Sequence, residues 1–285
     1  MTPKKTSGKE IRRLLMDSFF PDRYNCICCN RELWSEHRLG TCPDCLSRLS
    51  FVRYPYCLKC GKPIQAPTPD PLEPEPAEED RFGVYCSLCK KEPRHFDRVL
   101  SALAYQGDAT RLVHKIKYAS AAYLAPYMAA YMVDRYLQDP IEVDYVTAVP
   151  LHKSRQRARG YNQSALIATA FSQKLHIPYV QSVLKCKKTP PQTRLNKEER
   201  KRNLKGAFTA DRDQVRGKRI LVIDDVLTTG QTMDEVAHTL KKAGAVHVYG
   251  LTFASVVETA TPPQSPLPHG LRGFLARLKK GFRKQ

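Results

Sequence analysis

The stretch from 219 to 244 constrains the fold more than any other part of this chain. It opens with the continuous apolar run Ile220 to Ile223, which lacks the alternation expected of a strand with one solvent-facing side. Such a run predicts a strand buried on both faces, as in a parallel sheet. Apolar residues then recur at helical spacing from Thr232 to Lys242. The stretch therefore predicts a strand, a loop and a helix of a parallel α/β sheet.

Two carboxylates and a small polar loop join the predicted strand to the predicted helix. Asp224 and Asp225 follow the apolar run, and a Thr-Thr-Gly turn comes after them. The backbone N–H groups of such a loop and the positive end of the helix form an anion-binding site at the carboxyl edge of the sheet. Adjacent carboxylates accept hydrogen bonds from vicinal hydroxyls, as on a ribose. The pattern indicates a ribose 5-phosphate site; the simpler alternative is a strand end whose acids only complement the helix dipole.

The eleven residues VIDDVLTTGQT resemble the motif with which type I phosphoribosyltransferases bind 5-phosphoribosyl 1-pyrophosphate (PRPP). The resemblance implies that Asp224 and Asp225 hold the ribose hydroxyls and that the following loop wraps the 5′-phosphate. The loop residues implicated in this way are Val226, Leu227, Thr228, Thr229, Gly230, Gln231 and Thr232. A PRPP synthetase or a regulatory protein that shares the motif without transferring anything is the weaker alternative.

Eight of the ten cysteines form four Cys-x-x-Cys pairs before residue 90. The sequence contains no signal peptide and no run long enough for a transmembrane helix, so we expect a cytoplasmic protein in which cysteines bind metal rather than form disulfides. Two pairs close one tetrahedral site, and we expect the first to join the second and the third to join the fourth. A four-thiolate site has no open position, so both Zn²⁺ ions are predicted to be structural. The ligands are Cys26, Cys29, Cys42, Cys45, Cys57, Cys60, Cys86 and Cys89.

The net charge of +19 is concentrated in two stretches, 151–206 with +12 and 270–285 with +6. This excess favours polyanionic ligands such as pyrophosphate, nucleic acid or an acidic membrane. Within the first stretch, four basic residues follow a predicted strand that ends near Val149: Lys153, Arg155, Arg157 and Arg159. They indicate a pyrophosphate receptor at the same sheet edge, although an ordinary solvated basic turn fits the spacing equally well. The segment 185–208 is long for a loop and predicts a lid or a binding segment.

Taken in order, these motifs resemble the ComF family over roughly residues 10 to 257. The resemblance rests on the cysteine pairs, on RGYNQ after a strand, on the pattern T-x-x-Q-T-x-L-x-x-x-x-R-x-x-N in the long loop, and on IDDVLTTG. It implies that further substrate-binding residues are Gly160, Tyr161, Asn162, Gln163, Thr189, Gln192 and Arg200. Two features depart from the family pattern, a Pro-rich acidic insertion at 63–80 and a basic tail after 261.

The resemblance also implies a function. It implies a double zinc ribbon fused to a phosphoribosyltransferase fold, a role in DNA uptake and natural transformation, and single-stranded DNA as a ligand. A competence helicase and recombination mediator proteins are implied as partners, and Mg²⁺ is implied as the companion of PRPP. If the protein is a transferase, Asp224 and Asp225 position the ribose while Arg157 and Arg159 neutralise the leaving pyrophosphate. The alternative is a competence factor that binds single-stranded DNA and whose PRPP site has no turnover. The acceptor of any transfer cannot be read from the sequence.

The sequence divides into three predicted parts. Residues 1–95 form an N-terminal helix, at 10–20, and the double zinc ribbon; residues 96–258 form the phosphoribosyltransferase-like domain; residues 259–285 form a Pro-rich linker and a basic amphipathic tail. In the central part we expect strands at 98–105, 145–149, 179–184, 219–223 and 247–253. Helices are expected at 108–118, up to 137, at 162–175 and at 232–242. The tail fits contact with the inner membrane face or a partner, and it fits docking on the protein's own body equally well.

Overall fold

The computed structural model describes residues 24–33, 38–65, 84–119, 121–187 and 204–259. The predicted N-terminal helix, residues 66–80 of the insertion and the tail from 260 onward lie outside the described residues, as do Thr189, Gln192 and Arg200. None of the helices in the described ranges has the length and apolar character that crossing a membrane requires.

The described part of the chain contains ten strands and eight α-helices. The strands are β1 (Tyr24–Asn25), β2 (Glu32–Leu33), β3 (Ile64–Gln65), β4 (Arg98–Ala104), β5 (Tyr145–Ala148), β6 (Val183–Lys185), β7 (Phe208–Ala210), β8 (Arg219–Leu227), β9 (His247–Ser255) and β10 (Glu258–Thr259). The helices are α1 (Pro43–Ser47), α2 (Ser87–Lys91), α3 (Gly107–Tyr118), α4 (Ala125–Gln138), α5 (Lys153–Arg159), α6 (Gln163–Leu175), α7 (Arg212–Val215) and α8 (Gln231–Lys242).

Four parallel strands form the central sheet in the order β4-β9-β8-β5. This confirms the predicted parallel α/β architecture. The run Ile220 to Ile223 lies in an inner strand, and each of its four side chains is fully buried. Strand β8 continues to Leu227, beyond the predicted end, so Asp224 and Asp225 lie on the strand rather than after it. The extension follows from pairing, since Asp224 and Leu227 are both in register with residues of β9.

Apolar side chains cover both faces of this sheet. Leu221 and Ile223 point into one core, which α3, α4 and α6 complete. Ile220 and Val222 point into a second core on the other face, where α8 supplies Met233 and other apolar residues. This alternation accounts for the continuous apolar run, because a strand with a core on each side has no solvent-facing position.

The predicted strand at 179–184 is largely wrong. Tyr179 makes a single bridge to Val146 of β5, and the chain then leaves the main sheet. The strand that forms, β6, pairs antiparallel with β7 in a separate two-stranded ribbon. Between the two, the Gln181 side chain donates to the Val183 carbonyl at 2.6 Å and accepts from the Tyr179 hydroxyl at 2.5 Å. The Ser182 N–H donates to the Val180 carbonyl at 3.0 Å, so the backbone turns after Val180, where continued pairing with β5 would require extended backbone.

The outer edge of β4, which does not pair with β9, is covered by the cysteine-rich part of the chain. Val52 N–H donates to the Ala102 carbonyl at 3.0 Å, and Ala104 N–H donates to the Ser50 carbonyl at 2.7 Å. Further along the same edge, Val99 N–H donates to the Lys59 carbonyl at 2.9 Å. An edge strand with unpaired N–H and C=O groups is open to pairing with other chains, and here those groups are satisfied internally.

The two halves of the cysteine-rich part lie on opposite faces of the sheet. In the first half, Thr41 shares a 2.8 Å hydroxyl hydrogen bond with Tyr131 of α4, and the Ile27 carbonyl accepts from Lys115 of α3. In the second half, Cys57 and neighbouring cysteines belong to the core of the other face. The cysteine-rich part therefore straddles the β4 edge. The three-part division with boundaries after 95 and 258 remains a proposal.

Gly61 fixes how closely the second cysteine half approaches β4. Its φ is +67°, and a Cβ atom there would lie 2.4 Å from the Val99 carbonyl oxygen. We therefore expect Gly61→Ala to strain the backbone by about 1 kcal/mol and to cost about 1–3 kcal/mol more through overpacking. Urea unfolding of the zinc-loaded protein measures the loss.

Gly217→Ala is the matched control, because Gly217 has a φ of +74° with open space around it. It should lose only the backbone contribution. Equal losses in the two variants would mean that the contact between Gly61 and Val99 does not hold the cysteine half against β4.

Candidate functional site

The eight paired cysteines form two groups of four. Cys26, Cys29, Cys42 and Cys45 make one group, and Cys57, Cys60, Cys86 and Cys89 make the other; within each group all sulfur atoms lie within 4.8 Å of one another. This is the grouping that the spacing predicts. Four thiolates bound to Zn²⁺ at about 2.3 Å would be separated by about 3.8 Å. The Cys29–Cys42 and Cys60–Cys86 sulfur distances are 3.8 and 3.6 Å, so the donor sets fit structural zinc.

The other two cysteines stand apart from these groups. Cys28 packs against the core beside α3 and α4. Cys186 is exposed after β6, where its sulfur faces the Ala207 carbonyl at 3.4 Å. Neither belongs to a group of possible metal ligands in the described part of the chain.

Metal analysis tests the two zinc sites. We expect two zinc ions per chain, and we expect Cys57→Ser to hold only one because a hydroxyl replaces one thiolate of a four-thiolate site. The Cys57→Ser protein should also unfold at a lower temperature, since metal binding contributes to folding. Cys186→Ser is the control and should retain both ions. A wild-type content below one zinc per chain would contradict the assignment.

A cavity of about 640 Å³ opens at the carboxyl edge of the parallel sheet. Of the predicted site residues, Asp224, Asp225, Val226, Thr228, Thr232, Arg159 and Gln163 line it. Arg155 of the predicted basic segment also lines it, as do residues that the sequence analysis did not select, among them Tyr105, Lys117, Tyr118, Ser164 and Lys185. The two acids are thus brought together with basic groups from three other segments.

The acid pair is held by a different neighbour at each carboxylate. Asp224 Oδ1 accepts from the Ser164 hydroxyl at 2.8 Å and from the Asp225 N–H at 2.9 Å. Asp225 is 3% exposed, and its Oδ2 atom lies 2.8 Å from Lys117 Nζ. Desolvation and then the charge of Asp225 raise the pKa of Asp224 to about 7, against the opposing effects of Lys117 and Ser164. The floor of the cavity therefore carries a carboxyl group that changes charge near neutral pH.

Lys117 is the main site residue that the sequence analysis missed. It lies in the last turn of α3, where a lysine would ordinarily be assigned to the helix dipole or to solvent. Burial alone would lower the pKa of Lys117, but attraction to Asp225 and Asp224 raises it overall. Tyr105 directly follows β4 and lies at the same sheet edge as the acid pair. Lys117 belongs to α3, the helix that comes next in the chain, and this position after a predicted strand is the signal that could have identified it.

The loop after the acid pair presents the start of α8 to the cavity. Gly230 has a φ of +76° and precedes the first helical residue, Gln231. Its carbonyl accepts from the Asp234 N–H at 2.8 Å, while the N–H groups of the first helical turn point toward the loop. Thr228 and Thr232 line the cavity on either side of this turn. Leu227 instead points into the second core, so it anchors the loop rather than facing a ligand.

The basic segment predicted as a loop is the short helix α5. The His152 Nδ1 atom accepts from the Ser154 N–H at 3.2 Å and caps its start, and Gly160, with a φ of +86°, ends it. Residues four apart share one face of a helix, so Arg155 and Arg159 both line the cavity. Arg157, two positions from each, is exposed outside the cavity lining.

The remaining residues of the RGYNQ motif position these groups. Asn162 caps α6, accepting from the Ser164 N–H at 3.1 Å and donating to the Val149 carbonyl at 3.0 Å. The Tyr161 hydroxyl donates to the Ile116 carbonyl at 2.6 Å and joins α6 to α3. Gln163 accepts from Arg159, whose guanidinium lies 5.6 Å from the centre of the Tyr118 ring. The motif thus fixes Ser164 and Arg159 beside the acid pair.

Lys185, on β6, also lines the cavity. Burial and then repulsion from Arg155 lower the pKa of Lys185 to about 8, against the attraction of Asp224. A fraction of these side chains is therefore neutral at pH 7 to 8.

Replacing Lys117 tests the ion pair at the cavity floor. Breaking a buried pair costs about 3–5 kcal/mol. The Lys117 side chain is 23% exposed, so solvent screens part of the ion pair. We therefore expect Lys117→Met to lower the free energy of unfolding by about 2 kcal/mol at neutral pH. Lys117 lowers the pKa of Asp224, so its removal raises that pKa further. Below about pH 7 Asp224 holds its proton in both folded proteins. Above that pH the wild-type carboxyl ionises while that of the variant stays protonated, so the stability of the variant keeps falling and the deficit should grow as pH rises above about 7.

Denaturant unfolding at several pH values measures this effect. Lys174→Met, which removes an exposed lysine at the end of α6, is the control and should show no pH-dependent deficit. A Lys117→Met deficit that stayed constant with pH would mean that the lysine contributes packing rather than charge.

Comparison with known proteins gives two family models that match separate parts of the chain. A double zinc ribbon domain matches residues 15–90, and a phosphoribosyl transferase domain matches residues 161–266. The fold is therefore that of a type I phosphoribosyltransferase, with a zinc ribbon module at its N-terminus.

Curated relatives match most of the chain. "Competence protein F" of Haemophilus influenzae is 27% identical over 249 residues, which cover 84% of this chain and 100% of that protein. "DNA utilization protein YhgH" of Salmonella typhimurium is 29% identical and covers 78% of this chain and 93% of its own. "Competence protein ComFC" of Bacillus subtilis is 26% identical, with 71% and 78% covered.

Proposed function

The chain belongs to the ComF family, and we propose that it binds PRPP at the carboxyl edge of its sheet and acts in DNA uptake or utilisation. The observation that carries the proposal is the meeting of three groups in one cavity. The acid pair of β8, the start of α8 and the basic face of α5 all border it. They match the ribose, the 5′-phosphate and the pyrophosphate of this ligand. The volume of about 640 Å³ lies within the range of about 300–1,000 Å³ that is typical of small-molecule sites.

Each part of the ligand would be bound by a different segment. The ribose hydroxyls would donate to Asp224 and Asp225, and the 5′-phosphate would accept from the N–H groups between Thr228 and Thr232. The pyrophosphate would lie against Arg155 and Arg159, whose guanidinium groups suit phosphate oxygens. Arg157 would contact it only after α5 rearranges, so we assign the predicted role of Arg157 to Arg155.

Lys117 would contribute the counter-charge that lets two adjacent carboxylates remain at the floor of the cavity. When the ribose hydroxyls bind, the contact between the Lys117 ammonium and Asp225 Oδ2 would break. Lys117 would then remain close enough to contact the phosphate oxygens of the ligand. We infer that Lys117 balances charge in the free protein and binds ligand in the complex.

Mg²⁺ would accompany PRPP at this site. Asp224 Oδ2 makes no hydrogen bond within the described ranges, and Mg²⁺ prefers oxygen ligands supplied by one or two carboxylates and substrate phosphates. The residues therefore fit the ion. When bound, Mg²⁺ would neutralise charge on the pyrophosphate.

If the protein is a transferase, the bond between the ribose C1 and the pyrophosphate breaks and the acceptor takes its place. The basic face of α5 would stabilise the departing pyrophosphate, and the acid pair would hold the ribose as positive charge develops at C1. Lys185, whose pKa is lowered to about 8, is the cavity residue best suited to take a proton from the acceptor.

The second candidate function is binding of single-stranded DNA without PRPP turnover. It is favoured by the charge of +12 between 151 and 206, which exceeds what pyrophosphate requires. A competence helicase and recombination mediators, and contact with the inner membrane face through the tail, remain proposals at the same level. Release of pyrophosphate from PRPP, with and without candidate acceptors, separates a transferase from a binding protein.

Thermal unfolding with PRPP and Mg²⁺ tests the proposed site. We expect a stabilising shift in the wild-type protein and none in the double variant Asp224→Asn, Asp225→Asn, which keeps side-chain volume and removes the acceptor charge. Because the pKa of Asp224 is about 7 and ribose hydroxyls favour the ionised form, affinity should rise from pH 6 to pH 8.

Two controls accompany this test. Asp213→Asn, on the exposed surface of α7, should leave the shift unchanged. The single variant Asp224→Asn should lose the part of the pH dependence centred near 7, while the titration of the ligand's own phosphate persists. A full shift in the double variant would show that the acids do not hold the ribose.

A further inference from the structure

A second cavity, of about 250 Å³, lies where the cysteine-rich part meets α4. One wall is the segment that pairs with the β4 edge, which supplies Phe51 and Arg53. The other wall is one face of α4, which supplies Tyr131, Asp134, Arg135 and Gln138. The cavity shares no lining residue with the cavity at the carboxyl edge of the sheet.

Arg135 is the unusual member of this lining. It is 6% exposed, and its Nε atom has no hydrogen-bond partner in the described part of the chain. Its guanidinium lies 5.2 Å from the centre of the Tyr56 ring, a contact that offsets only part of the loss of hydration. A buried cation is ordinarily paired with an anion. No described residue supplies one to Arg135.

The neighbouring acid is already neutralised. Asp134 accepts two hydrogen bonds from the Arg38 guanidinium, at 2.5 and 2.8 Å. This paired geometry directs the Asp134 carboxylate to Arg38 and leaves Arg135 without a counter-ion among the described residues. Arg53, exposed on the opposite wall, has no ion pair with any described residue either. The cavity therefore has an excess of positive charge.

We propose that this cavity is a second anion site, in which Arg135 and Arg53 bind a phosphate-class oxyanion. The volume exceeds the roughly 30 Å³ that one water occupies and falls short of the roughly 300–1,000 Å³ of pockets that enclose drug-sized ligands. It suits inorganic phosphate or the phosphate group of a larger molecule that extends into solvent. Guanidinium groups on facing walls would each donate to the tetrahedral oxygens.

The site would join two parts of the protein. Arg53 belongs to the segment that carries the cysteine pairs, and Arg135 belongs to a helix that packs on the sheet. An oxyanion between them would tie the cysteine-rich part to α4. This proposal is independent of PRPP binding, because it uses no residue of the first cavity.

Titration of the full-length zinc-loaded protein with inorganic phosphate at constant ionic strength tests the site. Arg53→Gln, at an exposed position, should weaken phosphate binding by about tenfold or more, as loss of a charge-assisted hydrogen bond would. Arg135→Gln should abolish it. Arg212→Gln removes an exposed arginine that lines neither cavity and should bind as the wild type does.

Hydrogen exchange locates the binding, since phosphate could also enter the first cavity. Phosphate should protect the amides of 50–56 and 131–138, and Arg159→Gln should leave that protection intact. Glycerol 3-phosphate, a phosphate monoester, serves as the second probe. Tighter binding of inorganic phosphate would identify the free ion as the ligand, and tighter binding of the monoester would identify the phosphate group of a larger molecule; either result supports the proposed site. Unchanged protection and affinity in Arg53→Gln, or no protection of these segments in the wild type, would overturn the proposal.

Discussion

Two adjacent carboxylates at the end of a strand buried on both faces are the constraint on which the rest of the site depends. Strand β8 has a core on each side, and the acid pair lies at the cavity at the sheet edge. Charges in such a place persist only when other groups compensate them. Ser164 binds one carboxylate and Lys117 the other. The start of α6 and the end of α3 are therefore placed by electrostatics as well as by packing.

The same constraint explains why the site draws on segments that are distant in sequence. The carboxyl ends of parallel strands meet at one edge of a sheet, and the connections that follow them must all pass there. Tyr105 follows β4, α5 follows β5, and the loop that leads into α8 follows β8. A compact site thus arises from short segments, each of which is unremarkable by itself.

The sequence predicted the parts of this structure whose signal is local. The apolar run before Asp224 and the spacing of the cysteine pairs each require a particular geometry, and the sheet and the two groups of thiols have it. Lys117 was not predicted, because its partner lies more than a hundred residues away and its own neighbours in the sequence indicate only a helix end. The choice of Arg157 rather than Arg155 as a pyrophosphate-binding residue has a similar cause. Without knowing that α5 is a helix, the sequence does not indicate which arginines share a face. The chain leaves the main sheet after Val180 at a backbone turn closed by the Ser182 N–H and the Val180 carbonyl, and a hydrophobic pattern does not record such a turn.

Because the cysteine-rich part covers the edge of β4, the supply of zinc should affect self-association of the protein as well as its folding. Backbone groups at Val99, Ala102 and Ala104 are satisfied by a segment whose own conformation is held by thiolate–zinc bonds. In a cell short of zinc, that segment would detach and leave a hydrophobic strand with a free edge beside an intact sheet. Such an edge pairs with strands of other molecules. Protein without zinc would therefore aggregate through this edge while its central sheet is still folded.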